Sequence, residues 1–271
     1  MSIESLLPHA IGLMLVAARL SGLFIFTPTL AGAIVPMRVR ALLVFALALA
    51  VYPVIPGVAQ GAPEVDLVGL VPMLVMELLI GFSMGLIASI PLVSINLGGL
   101  LMGQQMGLGV ARVFNPAAGV NSNVLGQMLY MLALAAFLGM GGLEWLFIAL
   151  LDTFGRVPVG AMAASQVPLG LLVEVIASGF ELAMRVAAPV LTIILLETLS
   201  SGFVMKTMPQ INILSVGFPI KISLGLIILG SSLVAIDQAT GDELWRVMDQ
   251  IGLWSRWLGS GAASGPMGWG P

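Results

Sequence analysis

Two apolar blocks constrain this chain more than any other feature of its sequence. Leu67 to Met102 and Leu169 to Val204 each run for 36 residues, and the first contains a single charged residue, Glu77. A straight helix of that length would reach about 54 Å, whereas the hydrocarbon core of a bilayer is about 30 Å thick. We therefore expect broken helices or hairpins that neighbouring protein covers.

The composition places the whole chain among membrane proteins. Of its 271 residues, 59% are apolar and 8% are charged, whereas soluble domains carry about 25% charged residues. The net charge of −3 offers no basic surface to nucleic acid. With one histidine and no cysteine, the chain can build neither a histidine cluster, a thiolate metal site nor a histidine-based triad, and no nucleotide-binding or hydrolase motif occurs. The sequence predicts an all-α, multi-helix membrane protein that is not an enzyme and has no cofactor.

Other apolar runs predict further membrane segments. These are Ala10 to Gly32, Val39 to Ile55, Ile222 to Ile236, and Val124 to Leu151 as two packed segments separated near Gly139 and Gly141. No charged region precedes the first run, so we expect it to remain as a membrane segment rather than a cleaved signal. Thr240 and Glu243 form a capping box, which predicts a separate amphipathic interfacial helix over 237–258, followed by a flexible tail over 259–271.

Three isolated charges fall within apolar runs: Arg19, Glu77 and Lys221. A long arginine side chain can extend to the membrane interface, or it can be buried against a partner. The sequence alone does not decide between these two positions for the side chain of Arg19.

A polar stripe follows one face of the second long block. Its residues lie close to one line on a helix: Glu174, Ser178, Glu181, Arg185 and Thr192. Glu197 lies off this line. Glu181 and Arg185 have the i,i+4 spacing that favours an ion pair. The stripe is either a self-neutralised structural pair facing other helices or part of a hydrated pathway.

A glycine-rich passage, Gly98 to Gly119, separates the apolar blocks of the central region. Glycine costs about 0.5 to 1 kcal/mol relative to alanine inside a helix, so helix stability does not explain it. Close packing at small-xxx-small spacing explains Gly99, Gly103 and Gly107, and a bend explains Gly109. A tightly packed helix followed by an ordinary loop is the simpler interpretation.

Three passages resemble the FliR family of flagellar export-gate subunits, which is related to SctT of virulence type III secretion. They are RLSGLFIFTPTLAGAIVPMRVR (Arg19 to Arg40), QQMGLGVARVFNPAAGVNSNVLGQML (Gln104 to Leu129) and MRVAAPVLTIILLETLSSGFVMKTMPQINILSVGFPIK (Met184 to Lys221). The resemblance extends over roughly residues 10 to 235 and leaves out the C-terminal tail.

The resemblance implies a subunit of a helical ring with FliP, FliQ and FlhB-type subunits in the bacterial inner membrane, at the flagellar basal body. It implies a FliP-like part over 1–165 and a FliQ-like hairpin over 166–236. It also implies that the loop over 103–119 plugs a channel for unfolded export substrates. The implied pore and plug residues are Met102, Gly103, Gln104, Gln105, Met106, Gly107, Gly109, Phe114, Asn115 and Pro116.

A function from another class is a proton-coupled secondary transporter. Isolated intramembrane acids such as Glu77 and Glu174 can relay protons. A transporter would run as a monomer or a small symmetric oligomer, whereas a gate subunit would occur as one copy in a large hetero-complex.

Overall fold

A computed structural model of the chain describes residues 3–28, 35–55, 67–108, 123–161, 168–208 and 213–259. Within these residues the protein is helical and has no strand, which confirms the all-α prediction. The elements are α1 Ile3–Phe26, α2 Met37–Val51 with a 3-10 turn Tyr52–Val54, α3 Leu67–Gln105, α4 Val124–Gly139, α5 Gly142–Arg156, α6 Leu169–Thr207 and α7 Ile213–Gly259.

The described helices are long and apolar enough to cross a membrane several times. Five qualify individually, and the bent pair α4 and α5 adds a sixth candidate if it is counted as one span. These two helices meet at 60°, and Gly141 between them has a φ of +74°. The prediction of two segments separated by glycines is therefore confirmed.

Helix α3 corrects the expectation that the first long block is broken, for which Pro91 and Asn96 are the natural break points in the sequence. Pro91 and Asn96 lie inside one continuous helix of 39 residues. Proline removes a backbone hydrogen bond from a helix, but Ile87 before it and Leu92 after it are completely buried. Apolar packing on both sides of the proline thus holds the helix together, and membrane helices commonly tolerate proline in this way.

Helix α7 corrects the expected helix start at Thr240. The helix runs without interruption from Ile213 to Gly259. Thr240 is buried, and its Oγ1 donates to the carbonyl of Ile236 at 2.6 Å, as a residue inside a helix does. The four residues before Thr240 are Ile236, Asp237, Gln238 and Ala239, and none of them is a proline or a glycine that would stop the helix. The placement of 237–258 at a membrane interface stays a prediction.

The chain forms two compact units. The first draws its described residues from Met1–Ile90, Leu138–Val175 and Trp245–Pro271, and the second from Pro91–Phe137 and Ile176–Leu244. In the first unit the core includes Leu20, Ile80, Phe154 and Trp254. Helices α3, α6 and α7 contribute residues to both units.

Glycines allow α1 and α3 to approach closely in the first unit. A Cβ atom at Gly81 would overlap the carbonyl oxygen of Arg19, and one at Gly85 would lie 2.8 Å from the oxygen of Leu23. Gly81 and Gly85 have the small-xxx-small spacing that predicts close packing between helices, and the structure confirms it. This contact fixes the register between Arg19 and the residues of α3.

In the second unit, adjacent glycines place α3 against two different helices. A Cβ atom at Gly98 would lie 2.9 Å from the carbonyl oxygen of Ala183 in α6. One at Gly99 would overlap the backbone of Gly126 in α4. Close packing thus explains Gly99 as predicted.

Candidate functional site

Helix α3 ends where the sequence predicts the base of the plug. Gly107 has a φ of +81°, a conformation that only glycine adopts readily. The N–H of Leu108 donates to the oxygen of Gly103 at 3.0 Å, and that of Gly107 donates to the oxygen of Gln104 at 3.1 Å. These two bonds form a Schellman motif, which terminates a helix. Gly107 is thus a helix stop, not the interior packing glycine that the small-xxx-small spacing predicts.

The residues before the predicted plug are packed against α7. Met102 and Met106 are completely buried. A Cβ atom at Gly225 would lie 2.8 Å from the Sδ atom of Met106, and one at Gly107 would overlap the ring of Phe218. The start of the loop is therefore seated firmly in the second unit.

The other end of the loop is attached to the same unit. The Nδ2 atom of Asn123 donates to the Oδ1 atom of Asn96 at 2.8 Å. The predicted plug residues between these ends lie outside the described residues: Gly109, Phe114, Asn115 and Pro116. Gln104 and Gln105 are exposed on the last turn of α3. The plug therefore stays a prediction.

The most elaborate polar cluster surrounds Arg19 and Glu77, both completely buried. Arg19 Nε donates to Glu77 Oε2 at 2.5 Å, and Arg19 Nη2 donates to Glu77 Oε1 at 3.0 Å. A bidentate contact of this kind is the strongest arrangement for an arginine and a carboxylate. Of the two readings of Arg19, the structure supports the buried partner contact and excludes extension to the interface.

Residues at the C-terminal end of α5 complete this cluster. Arg19 also donates to Thr153 Oγ1 at 3.1 Å and to the oxygen of Val157 at 3.3 Å. Its guanidinium lies 4.2 Å from the ring centroid of Phe154, close enough for a cation–π interaction. The Arg19 cluster therefore joins α1, α3 and the end of α5.

Glu77 receives one further bond from the backbone. The N–H of Gly160 donates to Glu77 Oε1 at 2.7 Å, and the φ of Gly160 is +82°. Glu77 thus accepts hydrogen bonds from three N–H groups, two of them on a cation. The Glu77 carboxylate is therefore held as the counterion of Arg19 within a hydrogen-bonded cluster.

The polar stripe of α6 makes separate contacts along its length. In the first unit Glu174 Oε1 accepts from Gln250 Nε2 at 2.9 Å. In the second unit Ser178 donates to Glu243 at 2.8 Å, and Thr192 donates to the oxygen of Ala188 in its own helix. Glu174, Ser178 and Thr192 therefore each bond to a different partner.

Glu181 and Arg185 form the ion pair that their spacing predicts. Arg185 Nη2 lies 2.6 Å from Glu181 Oε1, and the two side chains are 63% and 68% exposed, respectively. Such an exposed pair contributes little to the stability of the isolated chain. Its structural role in an assembly, or a role in a hydrated pathway, stays a prediction.

The sequence analysis did not predict that a second buried carboxylate, Glu197, lies beside Lys221. Glu197 Oε2 is 3.6 Å from Lys221 Nζ, and Glu197 Oε1 accepts from Ser201 Oγ at 2.5 Å. A signal was present, because Glu197 precedes the end of α6 by about as many residues as Lys221 follows the start of α7. Antiparallel neighbouring helices bring such residues together. The described residues contain no group of three or more metal-ligating side chains.

Comparison with known proteins shows similarity over most of the chain. Residues 10–246 match the family described as bacterial export proteins, family 1. The flagellar biosynthetic protein FliR of Escherichia coli strain K12 is 29% identical over 213 residues, which cover 79% of this chain and 80% of the relative. FliR of Caulobacter vibrioides is 28% identical over 236 residues, covering 87% and 93%. FliR of Aquifex aeolicus is 30% identical over 217 residues, covering 79% and 82%.

Proposed function

Because the chain belongs to the FliR family of bacterial export proteins, we propose that it is a non-enzymatic subunit of the flagellar type III export gate. It forms and plugs part of the channel through which unfolded flagellar proteins cross the inner membrane. The observation that carries this proposal is the family match over residues 10–246, on a chain with at least five membrane-length helices.

The proposed partners are FliP, FliQ and FlhB-type subunits. We assign a FliP-like part to residues 1–165 and a FliQ-like hairpin to 166–236. Many large apolar side chains on α6 are exposed in the single chain, among them Phe180, Leu195 and Phe203. Such surfaces suit contact with neighbouring membrane subunits or with lipid.

The proposed plug lies between two fixed points. Leu108 follows the Schellman motif of α3, and Asn123 is bonded to Asn96 of the same helix. A loop whose ends are held by packed helices can change conformation without disturbing those helices. This arrangement supports the proposal that the loop from Gly107 to Pro116 is a movable seal with Phe114 as its apolar body.

The structure argues against Glu77 as a proton relay in the alternative function, a proton-coupled secondary transporter. Glu77 is bound by Arg19 and by the backbone of Gly160. Its carboxylate is thus the counterion of a buried guanidinium and is not the isolated intramembrane acid that the relay hypothesis assumes. We therefore favour the export gate.

Co-purification tests the proposed function. The tagged chain is expressed alone and with FliP and FliQ homologues from the same organism, and the detergent-soluble complexes are sized by native mass spectrometry. We expect one copy of the chain in a large hetero-complex, and a lower monodisperse yield for the chain alone. A stable monomer or small symmetric oligomer that does not associate with FliP and FliQ would contradict the proposal. A tagged multi-pass protein of another family serves as the control for non-specific capture.

A further inference from the structure

A groove between α6 and α7 in the second unit has one charged end and one apolar end. The apolar part has a volume of about 510 Å³. The side chains that line it include Ile193, Leu196, Val204, Met205, Ile220 and Leu224. The charged part is a smaller cavity of about 160 Å³ that includes Glu197, Ser201 and Lys221. Glu197 and Ser201 line both parts, so the two cavities are adjacent.

Glu197 at the junction has an unfilled hydrogen-bonding position. Its side chain is only 5% exposed. Oε1 accepts from Ser201, but Oε2 receives no hydrogen bond from any residue that the structure describes. Lys221 Nζ lies 3.6 Å from Oε2, which is attraction between charges without a hydrogen bond. A buried carboxylate oxygen in this state favours a ligand that brings an N–H donor.

The nearby lysine restricts what that ligand can be. A purely cationic group at Oε2 would also approach Lys221, which repels it. A ligand that carries both an ammonium and an anion satisfies the two side chains together, because its anion pairs with Lys221 while its ammonium donates to Glu197. The apolar groove next to this site would then hold a hydrocarbon chain, which removes apolar surface from water.

We propose that this groove binds a phospholipid with an ethanolamine headgroup, taken from the surrounding bilayer. The primary ammonium donates to Glu197 Oε2, the phosphate pairs with Lys221, and one acyl chain lies against Leu196, Val204 and Leu224. A partner helix that supplies a lysine or arginine fits less well, since it leaves Lys221 facing a second cation. This lipid site does not depend on the proposed export function.

The first test compares lipids on the unmodified full-length protein. The chain is purified in detergent, depleted of lipid, and supplied with phosphatidylethanolamine, phosphatidylcholine or phosphatidylglycerol of identical acyl chains. Native mass spectrometry measures the fraction of protein that retains one lipid. We expect about tenfold higher retention of phosphatidylethanolamine than of phosphatidylcholine, whose quaternary ammonium has no N–H to donate. Phosphatidylglycerol lacks the ammonium and is expected to bind at the lower level.

Variants place the preference at this groove. Glu197→Gln removes the charge that receives the ammonium, so the preference for ethanolamine over choline should fall about tenfold. Lys221→Met should weaken retention of all three lipids, because each carries a phosphate. The matched controls are Glu181→Gln and Arg185→Met, which change an exposed pair on the same helix and should leave retention unchanged.

Three results would overturn the proposal. Equal retention of the three lipids by the unmodified chain would remove the headgroup assignment, and this comparison needs no variant to fold. An ethanolamine preference that Glu197→Gln leaves intact would place the lipid elsewhere. If lipid is absent from the purified hetero-complex and a photo-crosslinker at Leu196 captures a partner subunit, the groove is a protein interface and the lipid site is refuted.

Discussion

The buried pair of Arg19 and Glu77 is the feature whose loss should be most damaging. Glu77→Gln leaves the guanidinium of Arg19 with no counterion in a site where both residues are completely buried. Breaking a buried ion pair by removing one partner costs about 3–5 kcal/mol. For a chain of this size that corresponds to a fall of about 10 °C in the unfolding temperature.

The double change Arg19→Met with Glu77→Leu should be less harmful than Glu77→Gln alone. It removes both charges and leaves an apolar site. The remaining cost comes from the N–H of Gly160 and the oxygen of Val157, which lose these bonds. Each loss costs about 1 kcal/mol, the lower end for an unpaired group, because the Gly160 bond is only partly buried and the Val157 bond is long at 3.3 Å. Thr153 still donates to the oxygen of Leu150 and is not left unpaired. We therefore expect the double variant to recover about 2 kcal/mol relative to the single.

Graded heating in detergent measures these differences. The folded fraction that remains after each step is followed by size-exclusion chromatography of a fluorescently tagged chain. The exposed pair Glu181→Gln with Arg185→Met is the control, because an exposed ion pair contributes less than about 1 kcal/mol. If Glu77→Gln is as stable as the parent, or the double variant is no better than the single, the pair does not hold the first unit together.

Three further predictions concern glycines and the proposed plug. Gly160→Ala places a side chain at a φ of +82° and should lower the unfolding free energy by about 1–2 kcal/mol in the same heating assay. The control Gly155→Ala has open space around the new side chain and should be neutral or stabilising. Gly99→Ala should overpack the contact of α3 with α4 and destabilise the chain by about 1–3 kcal/mol, which lowers the yield of folded protein. Gly202→Ala, which has open space around it, should leave the yield unchanged, and equal yields of the two variants would contradict close packing at Gly99. Phe114→Ala, or a shortened loop over 109–119, should raise resting ion conductance in assembled gates while the complex stays intact; unchanged conductance would show that the loop is not a seal.

Local sequence patterns determined the class of this protein and the contacts within single helices. Apolar length and scarce charge predict membrane helices because the bilayer demands both. The i,i+4 spacing of Glu181 and Arg185 predicts their pair, because both residues lie on one helix whose geometry is known in advance. Gly81 and Gly85 predict close approach for the same reason, although the pattern does not say which helix approaches.

The tertiary structure alone decided which distant residues meet and where the helices end. Arg19 finds Glu77 across 58 positions of sequence, and Gly160 joins them across 83. Pro91 and Thr240 look like helix boundaries locally, yet both lie inside continuous helices. The physical reason is that packing between helices sets their register and outweighs a local preference of a few kcal/mol. The spacing of residues along a helix fixes which face of that helix each side chain occupies. The residue that it meets on another helix depends on how the two helices pack.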